Sequence, residues 1–292
     1  MSETEGDSGS DSGGDSGGDT PRTILITGCS SGIGNHVAHA LRGRGWRVFA
    51  TCRKEADCQR LRDEGLESFR LDYEEPNSIG VAFDEVMEKT GGRLDALFNN
   101  GAYGQPGAVE DLRRDVLRDQ FEAGFFGWHD LTRRVIPSMR ANGGGRIVFC
   151  SSVLGLVSAP YRGAYCASKF AVEALADSLR MELAATGIRI VLIEPGPIAS
   201  RFLEHALEAY RRNIDLEGSA HREIYRTRNA RLEEGGDQTF KLGPEAVALK
   251  LVHALESRNP KRRYYVTLPT YAAALLRRVL PARALDAIAA RN

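Results

Sequence analysis

The sequence predicts an α/β domain built on a parallel, doubly wound sheet, and three observations carry that reading. Short β-rich runs alternate with longer helical stretches along the chain. Those runs are nearly continuous in apolar residues, the pattern of strands covered on both faces. A glycine-rich turn joins the first run to the first helical stretch. Strands alternating with helices require right-handed crossovers, which give a parallel sheet with helices on both faces.

Taken in order, residues 23–28 (TILITG) read as the first strand, and 34–44 follow with helical spacing through Val37, Ala38 and Leu41. Residues 47–52 (RVFATC) and 68–72 (SFRLD) are the second and third strands. Residues 76–90 read as a helix with proline in the tolerated first turn. Residues 94–99 (LDALFN) are the fourth strand, 115–140 one long helix, 146–151 (RIVFCS) the fifth strand, 164–185 a helix and 188–194 (IRIVLIE) the sixth strand. From 200 to 240 the chain is highly charged with few strand signals, and a stretch of that length inside a compact domain reads as a lid. The pattern resumes with a helix at 244–255, a strand at 263–268 (RYYVTL) and a helix-prone end at 271–290 broken by Pro281. The apolar residues of that end (Leu275, Leu276, Val279, Leu280, Leu285 and Ile288) read as packing, with a dimer seam or a membrane surface as the other uses.

Residues 1–20 stand apart. They consist almost wholly of Gly, Ser, Asp and Glu, which cannot bury enough apolar surface to offset the entropy of ordering. They read as a disordered acidic tail ahead of one domain at 21–292, and they lack the basic start and apolar centre of a signal peptide. The tail holds six of the 39 acids, leaving 33 acids against 39 basic residues in the body. That mild excess is not the clustered charge of a nucleic-acid surface. No apolar run reaches the ~20 residues that span a bilayer, so membrane contact is not expected. Cys29, Cys52, Cys58, Cys150 and Cys166 are odd in number and irregularly spaced, which reads as free thiols in a reducing, cytoplasmic setting. His36 and His39 sit three apart with no third ligand nearby, so no metal is expected.

The chemistry starts in the loop Thr27-Gly28-Cys29-Ser30-Ser31-Gly32-Ile33-Gly34. Glycines between a first strand and a first helix let backbone N–H groups approach a pyrophosphate, and the helix N-terminus favours its charge. The second strand ends in Cys52 and Arg53, where an acid would bind a ribose 2′-hydroxyl. A neutral thiol and a guanidinium suit a 2′-phosphate instead, with Ser31 in reach. NADP(H) is therefore the expected cofactor, with Asp72, at the end of the third strand, accepting from the adenine amino group.

Tyr165 and Lys169 lie four apart on a helix and share a face, about 6 Å apart along the axis. An ammonium beside a phenol favours the phenolate. Bringing a tyrosine from near 10 to neutrality takes about 4 kcal/mol of preferential interaction. Ser152 ends the fifth strand thirteen residues earlier, at the carboxyl edge where such sheets bind ligands.

With these pieces in place the chain resembles the short-chain dehydrogenase/reductase family, whose fold is Rossmann-like. The resemblance runs from about residue 23 to about 268 through Thr27-Gly28-x-x-x-Gly32-x-Gly34, Asn99-Asn100-Gly101-Ala102, Ser152, Tyr165-x-x-Ser168-Lys169 and Pro195-Gly196. The stretches YCASKF and IEPGPI look most like the branch holding 17β-hydroxysteroid dehydrogenases, retinol dehydrogenases and bacterial NADP-dependent aldehyde reductases. The resemblance implies Tyr165 as acid/base, Lys169 on the nicotinamide ribose and Ser152 on the substrate carbonyl. It implies cofactor contacts from Gly28, Ser30, Ser31, Gly32, Ile33, Gly34, Asn99 and Gly101, and from Pro195, Gly196, Ile198 and Ser200 beside the nicotinamide. It also implies a lid at 202–239 and a homodimer or homotetramer paired through the two long helices. The expected reaction is reduction of an aldehyde, ketone or hydrophobic steroid- or retinoid-like carbonyl, with an NADPH-binding sensor of little turnover as the alternative. Two departures stand out. Gly101-Ala102 inverts the usual Ala-Gly, and Gly124 falls where the family carries an asparagine that helps hold a water near the lysine.

Overall fold

The computed structural model describes residues 20–233 and 239–290. The expected acidic tail, apart from Thr20, lies outside the described residues. Seven strands form one parallel sheet in the order β3-β2-β1-β4-β5-β6-β7. They are β1 (Thr23–Ile26), β2 (Arg47–Cys52), β3 (Glu67–Arg70), β4 (Ala96–Asn99), β5 (Gly145–Cys150), β6 (Ile188–Glu194) and β7 (Arg263–Tyr265). The strand order reverses between β1 and β4, and the crevice beyond their carboxyl ends is where such sheets bind ligands. Ile24, Leu25, Ile26, Phe49, Leu97, Phe98, Val148, Phe149, Leu192 and Ile193 are all fully buried, as the apolar runs required.

The helices are α1 (Gly32–Arg42), α2 (Glu55–Asp63), α3 (Pro76–Thr90), α4 (Arg114–Phe121), α5 (Gly127–Ala141), α6 (Gly163–Glu182), α7 (Phe202–Asn213), α8 (Arg222–Glu233), α9 (Glu245–Glu256), α10 (Leu268–Val279) and α11 (Ala282–Ala289). Three differ from the sequence reading. Helix α2 carries no apolar periodicity, because only Cys58 and Leu61 are buried on it. Its acids in the first turn and arginines in the last suit the helix dipole instead. The long helix expected at 115–140 is interrupted by a π-helical turn, Glu122–Phe126, centred on Gly124. A turn of that kind inserts a residue and re-aims the helix that follows.

The third difference is at the C-terminus. Helix α10 buries only Thr270 and Ala274, and no residue of α11 is buried. Leu275 and Val279 are exposed rather than packed, because the sheet ends at β7 and its faces are already covered. No helix among the described residues is long and apolar enough to cross a membrane.

The described residues of the stretch expected as a lid include α7 and α8. Tyr210, Ile214 and Tyr225 pack with Ala108 in a small cluster separate from the main core. The Tyr225 hydroxyl accepts from the Ala108 N–H at 2.7 Å and donates to Asp111, so α8 is tied to the loop after β4.

Candidate active site

The floor of the crevice is organised by Thr27. Its hydroxyl bonds the Tyr73 hydroxyl (2.8 Å) and accepts from the N–H groups of Asn100 (3.0 Å) and Gly101 (3.1 Å). Asn100 returns a side-chain bond to the Thr27 carbonyl at 3.0 Å. The loops after β1 and β4 are thereby locked together so closely that a β-carbon on Gly28 would lie 2.4 Å from the Gly101 Cα. Gly28 also has φ +69°, a second reason for glycine there. Seen from the other side, a β-carbon on Gly101 would meet Gly28 backbone at 3.1 and 3.2 Å.

A β-carbon on Gly34 would lie 2.3 Å from the Gly28 carbonyl oxygen, so the start of α1 sits against the loop. Ser31 caps α1 without a side-chain hydrogen bond, and the first turn holds no acid. An uncapped helix start with a free hydroxyl and a glycine cradle fits a pyrophosphate. On the far side a β-carbon on Gly32 would lie 2.9 Å from the Ser200 Cβ, which brings the loop after β6 over the cradle.

That loop is anchored at both ends. The Pro195 carbonyl accepts from Val153 N–H at 2.8 Å, and Gly196 is packed on Thr267. Ile198 bridges to Leu242, and Ala199 N–H donates to the Leu242 carbonyl at 2.8 Å.

At the end of β2 the Cys52 side chain is buried, whereas Arg53 is exposed and makes no ion pair among the described residues. Arg60 of α2 donates to the Ser30 carbonyl at 2.8 Å. The sequence reading missed this second cation at the cofactor loop because α2 itself was not apparent. Asp72 accepts from the Glu74 N–H at 3.1 Å and remains partly exposed at the crevice. Asn99 is fully buried, and both of its polar groups are used in the core, on Tyr73 (2.9 Å) and Thr132 (3.0 Å). It braces β4 at the edge of the crevice, the strand-stabilising role expected of it.

The structure brings Ser152, Tyr165 and Lys169 together. Ser152 leaves β5 and caps a short 3₁₀ turn, accepting from Leu154 N–H at 3.1 Å. That bond uses a lone pair and leaves the hydroxyl proton to donate. Tyr165 and Lys169 lie on the buried face of α6, and the Phe202 ring of α7 rests edge-on against Tyr165 at 5.3 Å. Lys169 Nζ donates to the Cys150 carbonyl at 2.8 Å and lies 4.1 Å from the centre of the Trp128 ring. Trp128 is fully buried and donates to the Gly101 carbonyl at 2.8 Å. Trp128 therefore links the lysine to the cofactor cradle. Nothing local in the sequence marks it, since the contact spans α5 and α6.

Burial pulls Lys169 down from 10.5 to about 8. Burial pushes the Tyr165 phenol above its ordinary value, and the neighbouring Ser152 hydroxyl opposes this. In the chain alone burial outweighs any lowering of the phenol by Lys169. Its ammonium faces the Cys150 carbonyl and the indole, 5.6 Å from the tyrosine ring centre, so desolvation dominates.

Gly124 has close neighbours. A β-carbon there would lie 3.2 Å from Gln120 Nε2 and 3.4 Å from Ser168 Oγ. Gln120 is fully buried, accepting from Gln105 N–H (2.7 Å) and donating to the Tyr103 carbonyl (3.1 Å). Below the site, Arg263 ties Glu173 and Asp177 of α6 to Glu194 of β6. This cluster fixes the helix bearing Tyr165 and Lys169 against the strand leading to Pro195.

A doubly wound sheet with a glycine cradle at its switch point and a serine, tyrosine and lysine converging beside it defines a dinucleotide-linked oxidoreductase. The chain belongs to the short-chain dehydrogenase/reductase family: the family model described as short chain dehydrogenase matches residues 22–211. It is 44% identical over 268 residues to the uncharacterized oxidoreductase YbbO of Escherichia coli (strain K12), covering 91% of this chain and 93% of that protein. It is 32% identical over 261 residues to human 17-beta-hydroxysteroid dehydrogenase type 1, covering 84% and 77%. Among solved structures, a single-substitution variant of actinorhodin polyketide ketoreductase with NADPH superposes with a TM-score of 0.68 at 26% identity, covering 84% of this chain and 95% of that one. The family binds a nicotinamide cofactor and acts on CH–OH or carbonyl groups.

Proposed function

We propose that this protein is an NADP-dependent carbonyl reductase in which Tyr165 supplies the proton. The convergence of Ser152 and Tyr165 above a buried Lys169 carries the reading. An exposed Arg53 without an acid partner at the end of β2 supports NADP over NAD. When bound, the nicotinamide supplies the hydride.

The chain's own groups handle the oxygen. The free proton of Ser152 donates to the substrate carbonyl oxygen and fixes its position. Tyr165, with its phenol raised by burial, is protonated at neutral pH and stands ready as an acid. Two such donors meet the charge that develops on the oxygen, where preorganised hydrogen bonds act most strongly. Lys169, brought close to neutral pH, can return a proton to the tyrosine. Phe202 of the lid covers the phenol and keeps water from it. Homodimeric or tetrameric assembly through α5 and α6 belongs to the same reading.

A sensor that binds NADPH without turnover is the second reading, and Gly124 is the residue that favours it. The test is NADPH oxidation against a panel of aldehydes, ketosteroids and retinal. Turnover of any panel member supports the reductase. Tight NADPH binding with no turnover across the panel moves the protein to the sensor class.

A further inference from the structure

The C-terminal helices leave a row of apolar side chains open to solvent. On α10, Leu268, Tyr271, Leu275 and Val279 are 64%, 49%, 62% and 64% exposed. Their spacing of three, four and four residues puts them on one face of the helix. Thr270 and Ala274, the buried residues of α10, lie on a different face, against the protein. The stripe therefore turns outward, along a helix about 18 Å long. Helix α11 buries no residue, and its Ile288 is also exposed.

The charge beside the stripe is nearly all of one sign. Helix α10 carries Arg277 and Arg278 and no acid, and α11 adds Arg283 against a single acid, Asp286. All three arginines are exposed, and none makes an ion pair among the described residues. Arg277 rests on the Phe170 ring of α6 at 5.1 Å. An outward apolar stripe edged by unpaired arginines is the pattern of a helix that lies in a lipid interface.

Charge separates the occupants such a stripe could take. The acidic residues 1–20 complement the arginines, but beyond Met1 they hold no large apolar side chain to cover it. A second copy laid stripe to stripe would bring two sets of the same arginines together. An anionic lipid surface satisfies both features, because acyl chains take the apolar row and headgroups take the guanidiniums. Tyr271 suits the boundary between the two. A helix lying at that boundary does not need the length of a spanning one.

The position of α10 ties this surface to the crevice. Thr267, just before the helix, and Thr270, in its first turn, both pack on Gly196: a β-carbon there would lie 2.1 and 3.0 Å from their hydroxyl oxygens. The loop after β6 thus stands about 10 Å, one helix diameter, from the stripe.

We propose that α10 and α11 dock the protein on an anionic lipid surface, which holds the loop bordering the crevice beside the bilayer. The docking is independent of the reductase reading, since its readout is binding to lipid.

The experiment sediments the full chain with vesicles of phosphatidylcholine alone and with roughly one-third phosphatidylglycerol. Binding to the anionic vesicles is expected to be at least about tenfold the stronger and to weaken with salt. The double variant Leu275→Ser, Val279→Ser changes exposed positions and should weaken that binding about tenfold. Arg278→Gln should weaken it about fivefold, and it keeps the test open where the double variant loses NADPH binding and so its fold. No sedimentation of the wild type with anionic vesicles, or binding that neither variant weakens, overturns the proposal. A dimer seen by light scattering that the double variant splits, with no binding to vesicles, also overturns it and gives the stripe to a second copy.

Discussion

Lys169→Met should make the folded protein more stable while abolishing its chemistry. The lysine is 2% exposed, and its ammonium has one carbonyl and one indole face for company. Burial lowers it from 10.5 to about 8. At about 1.4 kcal/mol for each pH unit between those values, keeping it charged costs about 3 kcal/mol. The Trp128 contact offsets about 1–2 kcal/mol of that, so methionine, similar in length and uncharged, should stabilise by about 1–2 kcal/mol at pH 7. The pH dependence follows from linkage. Between pH 8 and 10.5 the unfolded chain holds the lysine proton more tightly than the folded one, so wild-type stability rises across that window. The advantage of the variant should therefore be full below pH 8 and gone above 10.5. Urea denaturation of both proteins at about pH 7, 9 and 10.5 measures it. A variant that is equally or less stable at pH 7, or a stability difference that stays flat with pH, would refute the reasoning.

Other perturbations test separate parts of the site. Arg53→Asp should raise the Kd for NADPH about ten- to a hundredfold and that for NADH under about threefold, read by fluorescence titration; equal effects on both would remove Arg53 from the 2′-phosphate. Gly124→Asn places a side chain against Gln120 and Ser168, and should destabilise by about 1–3 kcal/mol in denaturant; a neutral change would show that the π turn has room. Trp128→Leu, at a fully buried position, should cost about 2–4 kcal/mol and weaken NADPH binding, because Gly101 and Lys169 both lose their brace; unchanged binding in the folded variant would separate Trp128 from the cradle.

Much of the fold was legible in the sequence because burial on both faces writes itself into the strands. TILI, VFATC and IVLIE are almost wholly apolar and buried on both faces, and no other element type explains such short runs between longer helices. Helix α2 was not legible, since Cys58 and Leu61 are too few to set a period. The π turn at Gly124 was hidden because a glycine inside an apolar-periodic helix does not announce an inserted residue. Ser152, Tyr165 and Lys169 were legible as a set through their order and spacing. Their electrostatics were not, because the direction of the Tyr165 shift depends on how deeply Phe202 and the lid bury it and on where the lysine points. Trp128 and Arg60 act between elements distant in sequence, and only tertiary packing reveals them.

The central claim is that Tyr165 passes the proton, and the most direct measurement compares NADPH oxidation by the wild type and Tyr165→Phe with the same aldehyde, alongside the NADPH Kd of each. The account predicts a fall in kcat of roughly 10²- to 10⁴-fold with the Kd unchanged. Turnover by the phenylalanine variant close to that of the wild type would contradict it.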